Sequence, residues 1–408
     1  MKNYVRLLIY TLISVGIGIL VGAIDALFGR VLLAITDFRT AHAVYLLPFL
    51  ALAGLFLLFL YQKISPKAAK GMSLVYETAF EENEDIPKAL IPLIMVCTWL
   101  THLFGGSAGR EGVAVQIGAA LSHAIGRKIG EKFPVDGRLF LVVGMAAGFG
   151  GLFQTPLAAT FFALEVLVSG TLIYEALLPA LAAAGTASVT SHLLGLEKFS
   201  VSFSDQISFT PENLIKLAII GILFGVTGGL FAKLLALAKQ KLSAWIKNPY
   251  LRIFVAGICL SVLLLLLWKG RYSGLGTNLI SLSFTGTALG EQVFAYDFIL
   301  KFALTILTLA AGYQGGEVTP LFSIGATLGV LLASLFGLPV LLVAALGYAA
   351  VFGAATNTLL APILIGVEVF GPEHVVPFVI ICSIAFACNG NQSIYGKQRL
   401  YKPLKSIV

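Results

Sequence analysis

Residues 144–167 read GMAAGFGGLFQTPLAATFFALEVL, and residues 347–370 read GYAAVFGAATNTLLAPILIGVEVF. At an offset of 203 (347 − 144), ten of the 24 aligned positions are identical, whereas a composition so rich in Ala and Leu gives about two or three matches by chance. Residues 117–119 and 324–326 both read Ile-Gly-Ala and add a second match at an offset of 207 (324 − 117). Shared membrane-protein composition is the alternative explanation. We interpret the matches as an internal repeat that decides the architecture.

The composition assigns the chain to the membrane. Of the 408 residues, 58% are hydrophobic and 12% are charged, whereas soluble proteins carry about 25% charged residues. These proportions exclude a soluble enzyme, a disordered chain and a coiled coil. In lipid only helices or closed barrels satisfy their backbone hydrogen bonds, and a barrel would show short alternating segments. The sequence therefore predicts an all-α polytopic membrane protein. Its apolar segments run over 5–36, 43–61, 89–104, 139–165, 172–195, 213–237, 253–268, 297–313, 321–350 and 358–387.

Segment length and charge predict how the two copies are arranged. Some segments exceed the ~20 residues that cross the hydrocarbon core and others fall short, which favours tilted and re-entrant helices. The first helix should start inside after Lys2, and the helix of the second copy should end inside at Lys239, so that the copies are inverted. We predict a single membrane domain with a first inverted repeat at 1–205 and a second at 206–408.

The positive-inside rule assigns the basic loops, and with them both termini, to the cytoplasm. The basic loops contain Lys63, Lys67 and Lys70; Arg127, Lys128, Lys132 and Arg138; Lys239, Lys241, Lys247 and Arg252; and Lys397, Arg399, Lys402 and Lys405.

Inverted repeats are typical of secondary transporters, whose site lies at the midplane where broken helices meet. Four interruptions fit that description: Gly71-Met72-Ser73, GGSAGREGV at 105–113, GGEVTP at 315–320, and Tyr395 near the last apolar block. Glycines ahead of a helix let its unpaired N–H groups point into a cavity, and the macrodipole adds partial positive charge. Such an end binds anions. Two of them facing each other would form a midplane anion site.

Glu111 is the leading candidate for chemistry at that site. A carboxylate at a helix start competes with a soluble anion for the same N–H groups, and protonation removes its attraction. One side chain could thus exchange a proton for an anion, and an ionisable residue at membrane depth is a functional hypothesis by default. The alternative is an ordinary capping Glu. Arg110 either balances charge in the connection or takes a direct role.

Other classes of function find little support in the sequence. The four cysteines have no CxxC spacing and the five histidines are scattered, so we predict neither a metal nor a cofactor. No continuous basic face on a soluble domain suggests nucleic-acid binding. An intramembrane enzyme would need an activated nucleophile or a metal pair, and no such pair appears at matching depth. A structural scaffold would not need acids at both broken helices.

The motifs resemble the CLC family of chloride channels and proton-coupled anion transporters. Gly109–Gly112 (GREG) matches its gating-glutamate motif, GMAAGFGGLFQTPLA matches its GMAAG…APLA helix, 315–320 corresponds to its GGxFxP motif, and Tyr395 to its central tyrosine. The resemblance covers nearly the whole chain. It implies a homodimer with one pathway per subunit, each pathway built from two inverted halves.

Where the chain departs from the motifs of the chloride-transporting members, it resembles the fluoride/proton antiporter branch of the family. Chloride members usually have Ser after the first glycine of their GSGIP motif, where this chain has Met72. Where their GGxFxP motif has Phe-Ala, this chain has Val318-Thr319, preceded by the acidic Glu317. The inward-side glutamate of chloride exchangers should follow Glu165, and that position is a valine. By this resemblance Glu111 is the gating, proton-accepting glutamate and Glu317 a second functional acid. The candidate anion-binding residues are Met72, Arg110, Gly112, Val318, Thr319 and Tyr395.

The resemblance implies a transporter of the bacterial inner membrane that exports fluoride in exchange for protons. A chloride/proton antiporter or chloride channel of the same family is the alternative. Fluoride needs close donors in place of water, which the hydroxyls of Thr319 and Tyr395 could supply. Met72 either narrows the site or is adaptable apolar filler, and Glu317 could be a plain helix cap. We expect Glu165 and Glu368, which match across the repeat, to have a structural role.

Overall fold

The computed structural model describes residues 3–80, 85–130, 137–285 and 292–401, and nearly all of its regular structure is helical. The helices up to residue 205 are α1 (Asn3–Ala41), α2 (Ala43–Leu46), α3 (Leu50–Ile64), α4 (Met72–Phe80), α5 (Leu90–Leu103), α6 (Glu111–Gly130), α7 (Gly137–Phe153), α8 (Pro156–Glu165) and α9 (Leu177–Leu193). The later helices are α10 (Pro211–Trp245), α11 (Pro249–Leu266), α12 (Thr277–Thr285), α13 (Asp297–Ala311), α14 (Val318–Phe336), α15 (Val340–Thr356), α16 (Leu360–Phe370) and α17 (Val375–Ala387). Two short strands, β1 (Val168–Ser169) and β2 (Arg399–Leu400), pair in parallel.

The predicted all-α membrane class is confirmed. Within the described ranges, six helical stretches are long and apolar enough to cross a membrane, and several further apolar helices are shorter. Large apolar side chains are exposed along α1, α3, α10 and α11, as expected of helices that face lipid. The predicted loop residues Lys2, Lys132, Lys402 and Lys405 lie outside the described residues.

Three of the predicted apolar segments each contain two helices with a turn between them. The segment 139–165 breaks between α7 and α8, 321–350 between α14 and α15, and 358–387 between α16 and α17. Each break has its own turn chemistry: a left-handed Gln154 before Pro156, a left-handed Gly337 before Pro339, and Gly371-Pro372. Hydropathy does not register these interruptions, since the residues on both sides remain apolar.

Helix α6 was not among the predicted apolar segments although its first ten residues are all buried. Glu111, Gln116 and the basic residues of its last turn lower its mean hydropathy. Hydropathy therefore misses this buried helix because of its polar side chains, whereas the buried but more apolar helix α7 was included in a predicted segment.

The order of the helices from α3 to α9 parallels the order from α11 to α17, and equivalent helices have similar lengths. The same close packing recurs in both parts. Gly118 of α6 packs on Gly144 of α7 so closely that a Cβ on either would overlap the other's carbonyl oxygen, and Gly325 packs on Gly347 in the same way. These four glycines are the repeat pairs that the sequence comparison aligned.

A cavity lined by Lys70, Lys239, Arg252 and Lys397 marks one end of the molecule, which we call the basic end. The long helices α1 and α10 run in opposite directions relative to this end. Helix α10 approaches it at its C-terminal part, which carries Lys239. Helix α1 has its N-terminal part there, because Tyr10 packs against Phe140 just after the basic loop before α7. This arrangement agrees with inverted repeats.

Basic residues of the four predicted cytoplasmic loops meet at this same end. The guanidinium groups of Arg138 and Arg399 lie 5.2 and 3.9 Å from the ring centroid of Phe80. The proposed division of the chain at 205/206 falls in the extended stretch between α9 and α10, and it stays a prediction.

Gly118→Ala tests the close crossing of α6 and α7. The added methyl group has no room beside the carbonyl oxygen of Gly144, and overpacking of this kind costs about 1–3 kcal/mol. We expect a lower midpoint of thermal unfolding in detergent. The midpoint is measured from the amount of folded protein that size-exclusion chromatography recovers after heating. Gly16→Ala on α1 is the matched control, since its Cβ would meet nothing within 4 Å. Equal midpoints for the two variants would contradict this packing.

Candidate anion site and gate

Two glycine loops bring the starts of α6 and α14 together. Gly109 and Gly316 exchange backbone hydrogen bonds, with N···O distances of 2.5 and 2.7 Å. A Cβ at Gly109 would lie 2.9 Å from Pro320 Cδ and 3.0 Å from the carbonyl oxygen of Gly316. Only glycine therefore permits this approach. The first turn of each helix, with its unpaired N–H groups, faces the other.

The Glu111 side chain bridges the two helix starts. It is fully buried, and its Oε2 accepts hydrogen bonds from the backbone N–H of Thr319 (3.1 Å) and from the Thr319 hydroxyl (2.5 Å). The backbone N–H of Arg110 also donates to Oε2, at 3.3 Å. A carboxylate thus holds the donors at the positive end of the α14 dipole, which is a place suited to a small anion.

Arg110 supplies positive charge beside this carboxylate. Its Nε lies 3.6 Å from Glu111 Oε1, and its side chain is 11% exposed. Within the described part of the chain, neither Nε nor one terminal nitrogen (Nη1) of Arg110 has a hydrogen-bond partner, and Glu111 Oε1 also has none. Buried charges of this kind are costly unless they are paired or hydrogen-bonded. Arg110 therefore balances the charge of Glu111 and keeps two guanidinium nitrogens without a hydrogen-bond partner among the described residues.

A second group of predicted residues lines the cavity at the basic end. This cavity has a volume of about 360 Å³, and Met72, Glu317 and Tyr395 line it together with Gln116. Val318 and Thr319 are buried beside it, with 2% and 4% of their surface exposed. The candidate residues therefore form two neighbouring groups, a buried group around Glu111, which is the candidate gate, and a cavity wall around Tyr395.

Gly112 connects the two groups. A Cβ at this position would lie 3.5 Å from Gly316 Cα and 3.8 Å from Glu317 Oε2. The two acids therefore lie on either side of the contact between Gly112 and Gly316, Glu111 on the buried side and Glu317 on the side of the cavity.

Glu317 does not act as a plain cap in this structure. It precedes α14, but its side chain accepts no capping hydrogen bond from that helix. Its Oε1 lies 3.9 Å from Lys239 Nζ, and its side chain is 14% exposed. Glu317 is therefore a nearly buried acid with one side towards a basic cavity.

The Tyr395 ring is fixed while its hydroxyl is left free. The ring stacks on Tyr76, with centroids 5.6 Å apart, and meets the edge of Phe162 at 6.3 Å. The neighbouring backbone is held by a hydrogen bond from Ile394 N to Ala355 O. Among the described residues, the buried hydroxyl has no hydrogen-bond partner. Buried hydroxyls are normally paired, so this one is a ready donor towards the cavity.

Gln116 is a site residue that the sequence analysis missed. Its Nε2 donates to the carbonyl oxygen of Gly112 (3.0 Å), and its Oε1 is buried without a partner in the described ranges. The side chain lines the cavity with Met72. The signal was a single amide in the apolar stretch Val113–Leu121, but which face of α6 carries the site was not known from sequence.

Glu165 and Glu368 cap each other's helices, which confirms the predicted structural role. The Glu165 carboxylate at the end of α8 accepts from three backbone N–H groups at the start of α16, at 2.8 to 3.2 Å. Glu368 of α16 accepts from two N–H groups at the start of α8, at 2.8 and 3.2 Å. The caps satisfy donors that would otherwise be unpaired. Both acids are thereby committed to helix packing.

Fold and site together define a polytopic helical membrane protein with a candidate anion site between two broken helices. A family model described as "Voltage gated chloride channel" matches residues 53–390. The chain belongs to this voltage-gated chloride channel family, the CLC family of the sequence analysis.

Individual relatives match over nearly the full length. A "Chloride/fluoride channel protein" of Pseudomonas syringae pv. tomato is 34% identical over 94% of this chain and 85% of its own length. An "H(+)/Cl(-) exchange transporter ClcA" of Vibrio cholerae is 26% identical over 97% of this chain and 89% of its own length. Names of both channels and exchangers therefore occur among the relatives.

Two solved structures share the fold. A CLC-type fluoride/proton antiporter superimposes with a TM-score of 0.93 at 50% identity and covers 98% of this chain and 100% of its own. A slow cyanobacterial Cl⁻/H⁺ antiporter gives a TM-score of 0.83 at 20% identity, over 95% of this chain and 96% of its own. The second likeness concerns the fold alone.

Proposed function

We propose that this protein is a proton-coupled antiporter that exports fluoride in exchange for protons. The observation that carries the proposal is the Glu111 carboxylate, which accepts hydrogen bonds from the N–H and hydroxyl of Thr319 at the start of α14. An anion that needs those donors must displace this carboxylate. The 50% identity to a fluoride/proton antiporter over the full chain supports fluoride as the anion.

The exchange follows from the charge of Glu111. While ionised, the carboxylate is held by the donors of Thr319, by the dipole of α14 and by Arg110. Protonation removes most of this attraction, and the neutral side chain leaves the donors free. Fluoride then takes the vacated donors, and Glu111 can return to them only when it has released its proton. Anion and proton thus use one position in turn.

The donors around this position suit fluoride. It is small and strongly hydrated, so a site must replace its water with short hydrogen bonds or incur a desolvation penalty. Thr319 offers an N–H and a hydroxyl, Tyr395 a free hydroxyl, and Arg110 unpaired guanidinium donors. Met72 and Val318 add apolar surface that limits the space around the ion. A chloride transporter or channel of the same family is the alternative.

The transport reaction can be tested in reconstituted vesicles. We expect an outward fluoride gradient to drive protons inward against their own gradient in the wild type, because the two ions share one position. Glu111→Gln should abolish this coupling, since the amide carries no exchangeable charge, whereas Glu212→Gln at an exposed position is the control. Fluoride and proton fluxes are recorded together with ion-selective and pH electrodes.

Two results would contradict the proposal. Fluoride flux through the wild type that proceeds without protons excludes exchange. A strong preference for chloride in the same vesicles favours the alternative function.

We further propose that Glu317 is the proton-carrying acid on the side of the basic cavity. It lies between that cavity and Gly112 of the gate, and Lys239 is the cation beside it. The usual inward-side glutamate position is occupied by Val166, whose carbonyl oxygen accepts hydrogen bonds from Tyr76 and Gln398. A proton can therefore reach Glu111 from this side through Glu317.

Glu317→Gln separates proton carriage from simple gating. If Glu317 carries protons, the variant should lower the ratio of protons to fluoride by about tenfold or more, because the amide cannot replace the acid in proton transfer. The matched control is Glu77→Gln, which alters an acid at the same end with the same 14% side-chain exposure, paired with Lys70. A slower flux with an unchanged ratio would assign Glu317 to gating only.

We infer that the basic end faces the cytoplasm of a bacterial inner membrane, with both termini on that side. The clustering of lysines and arginines supports this orientation, and the bacterial relatives support the location. A cysteine introduced at Lys397 should then be protected from impermeant thiol reagents added to intact cells. The homodimer implied by the family resemblance stays a prediction, which the mass of the solubilised protein would test.

A further inference from the structure

Lys301 is a fully buried lysine whose charge no carboxylate balances directly. It lies on α13, and its Nζ donates to Ser107 Oγ (2.9 Å), to Tyr272 O (3.1 Å) and to Gly274 O (2.7 Å). Within the described residues no carboxylate oxygen comes within 4 Å of this nitrogen. Asp297, one turn earlier, is already paired with Arg271 at 2.7 Å. Burial of a cation without a counter-ion is costly, so a compensating benefit is expected.

The hydrogen bonds of Lys301 hold the loop that leads into the gate. Ser107, which lies four residues before Glu111, forms hydrogen bonds with three residues of α13. Its hydroxyl contacts both Lys301 Nζ and Thr305 Oγ1 (2.8 Å), and its N–H donates to Thr308 Oγ1 (3.2 Å). The Glu111 side chain can reach Thr319 only if this loop keeps its path.

Lys301 also lies against the helix that provides the donors. A Cβ at Gly276 would fall 2.7 Å from Lys301 Cε and 2.9 Å from Ser323 Oγ. Ser323 is one helical turn after Thr319 on α14. The lysine side chain therefore occupies a narrow gap beside both halves of the gate, the loop before α6 and the first turns of α14.

The equivalent gap of the other repeat is open to the basic cavity. Gly71 corresponds to Gly276 and Gln116 to Ser323, at offsets of 205 (276 − 71) and 207 (323 − 116). A Cβ at Gly71 would lie 3.3 Å from Gln116 Oε1, and both residues line the cavity. The repeated architecture thus has an open helix start on one side of the gate, and a buried ammonium at the equivalent place on the other.

Two further buried cations surround the same loop. Arg39 is 5% exposed, donates to the carbonyl oxygen of His102 (3.1 Å) and lies against Gly274. Arg110 follows the loop directly. With Glu111 protonated and displaced, these cations and Lys301 lose one of the carboxylates that offset their charge. Such charge favours an incoming anion, and much more so at low dielectric than in water.

We propose that Lys301 is a positioning residue of the gate, whose ammonium fixes the loop before Glu111 and whose buried charge raises the affinity for fluoride. The inference rests on the proposed exchange of fluoride for protons. It adds a residue outside the site, which acts through Ser107 and through the electrostatic potential.

Lys301→Met tests the inference by removing the charge while keeping most of the side-chain volume. In the vesicle assay we expect the KM for fluoride to rise about tenfold, equivalent to 1.4 kcal/mol of lost anion binding, with a smaller change in kcat. Lys216→Met is the matched control, because this lysine pairs with the exposed Glu212 on the surface of α10. Its KM should equal that of the wild type.

Ser107→Ala provides a second test that keeps the ammonium and removes one of its acceptors. We expect a folded protein with a KM for fluoride about two- to threefold higher, because one hydrogen bond to a charged group is lost. This variant decides the matter if Lys301→Met does not fold.

An unchanged KM in folded Lys301→Met, or a loss confined to kcat, would overturn the inference and leave Lys301 with a packing role. An unchanged KM for Ser107→Ala would do the same where Lys301→Met does not fold. Neither result would affect the proposed function. That proposal is decided by the fluoride and proton fluxes and the chloride selectivity of the wild type.

Discussion

The site depends on one backbone contact, the reciprocal hydrogen bonds between Gly109 and Gly316. These residues are equivalent in the two repeats, at an offset of 207 (316 − 109), so the contact lies where the two halves meet. Side chains at this place would push the helix starts apart, since a Cβ at Gly109 would lie 2.9 Å from Pro320 Cδ and 3.0 Å from the carbonyl oxygen of Gly316. The effect of a helix dipole on an ion is confined to the first turn, so a shared ion would be held less strongly.

Close approach creates an electrostatic problem that the buried side chains solve. Two helix starts and the cations Arg39, Arg110 and Lys301 bring positive charge into a region sealed from water. The ionised Glu111 carboxylate offsets part of this charge, and an anion can do so instead. In the proposed exchange, fluoride at Thr319 would replace the negative charge that Glu111 loses when it takes up a proton.

The sequence predicted the parts of the site that short motifs encode. Glycines at 105–112 and 315–316 specify where helices begin and where backbones can approach, and the acids next to them identify the charge. The repeat then indicated that the two starts belong together. The interactions of Gln116 and Lys301 could not be predicted, because an amide in α6 and a lysine in α13 acquire their roles only through contacts with distant loops. Likewise, hydropathy joined α7 to α8 and α14 to α15, since it averages over the turns that separate them.

The repeats share a backbone frame but differ in charge, and this difference makes the two sides of the proposed pathway chemically distinct. Glu111 begins α6, whereas the equivalent residue of α14 is Val318. A second carboxylate there would repel the first and would occupy the donors that an anion needs. At the other equivalent pair, the gap beside Gly71 opens to a cavity and the gap beside Gly276 holds an ammonium. An inverted pair of identical halves would treat the two sides of the membrane alike. With one acid at the gate, a second acid at the basic cavity and a fixed cation opposite, the two sides differ in how they admit protons and anions.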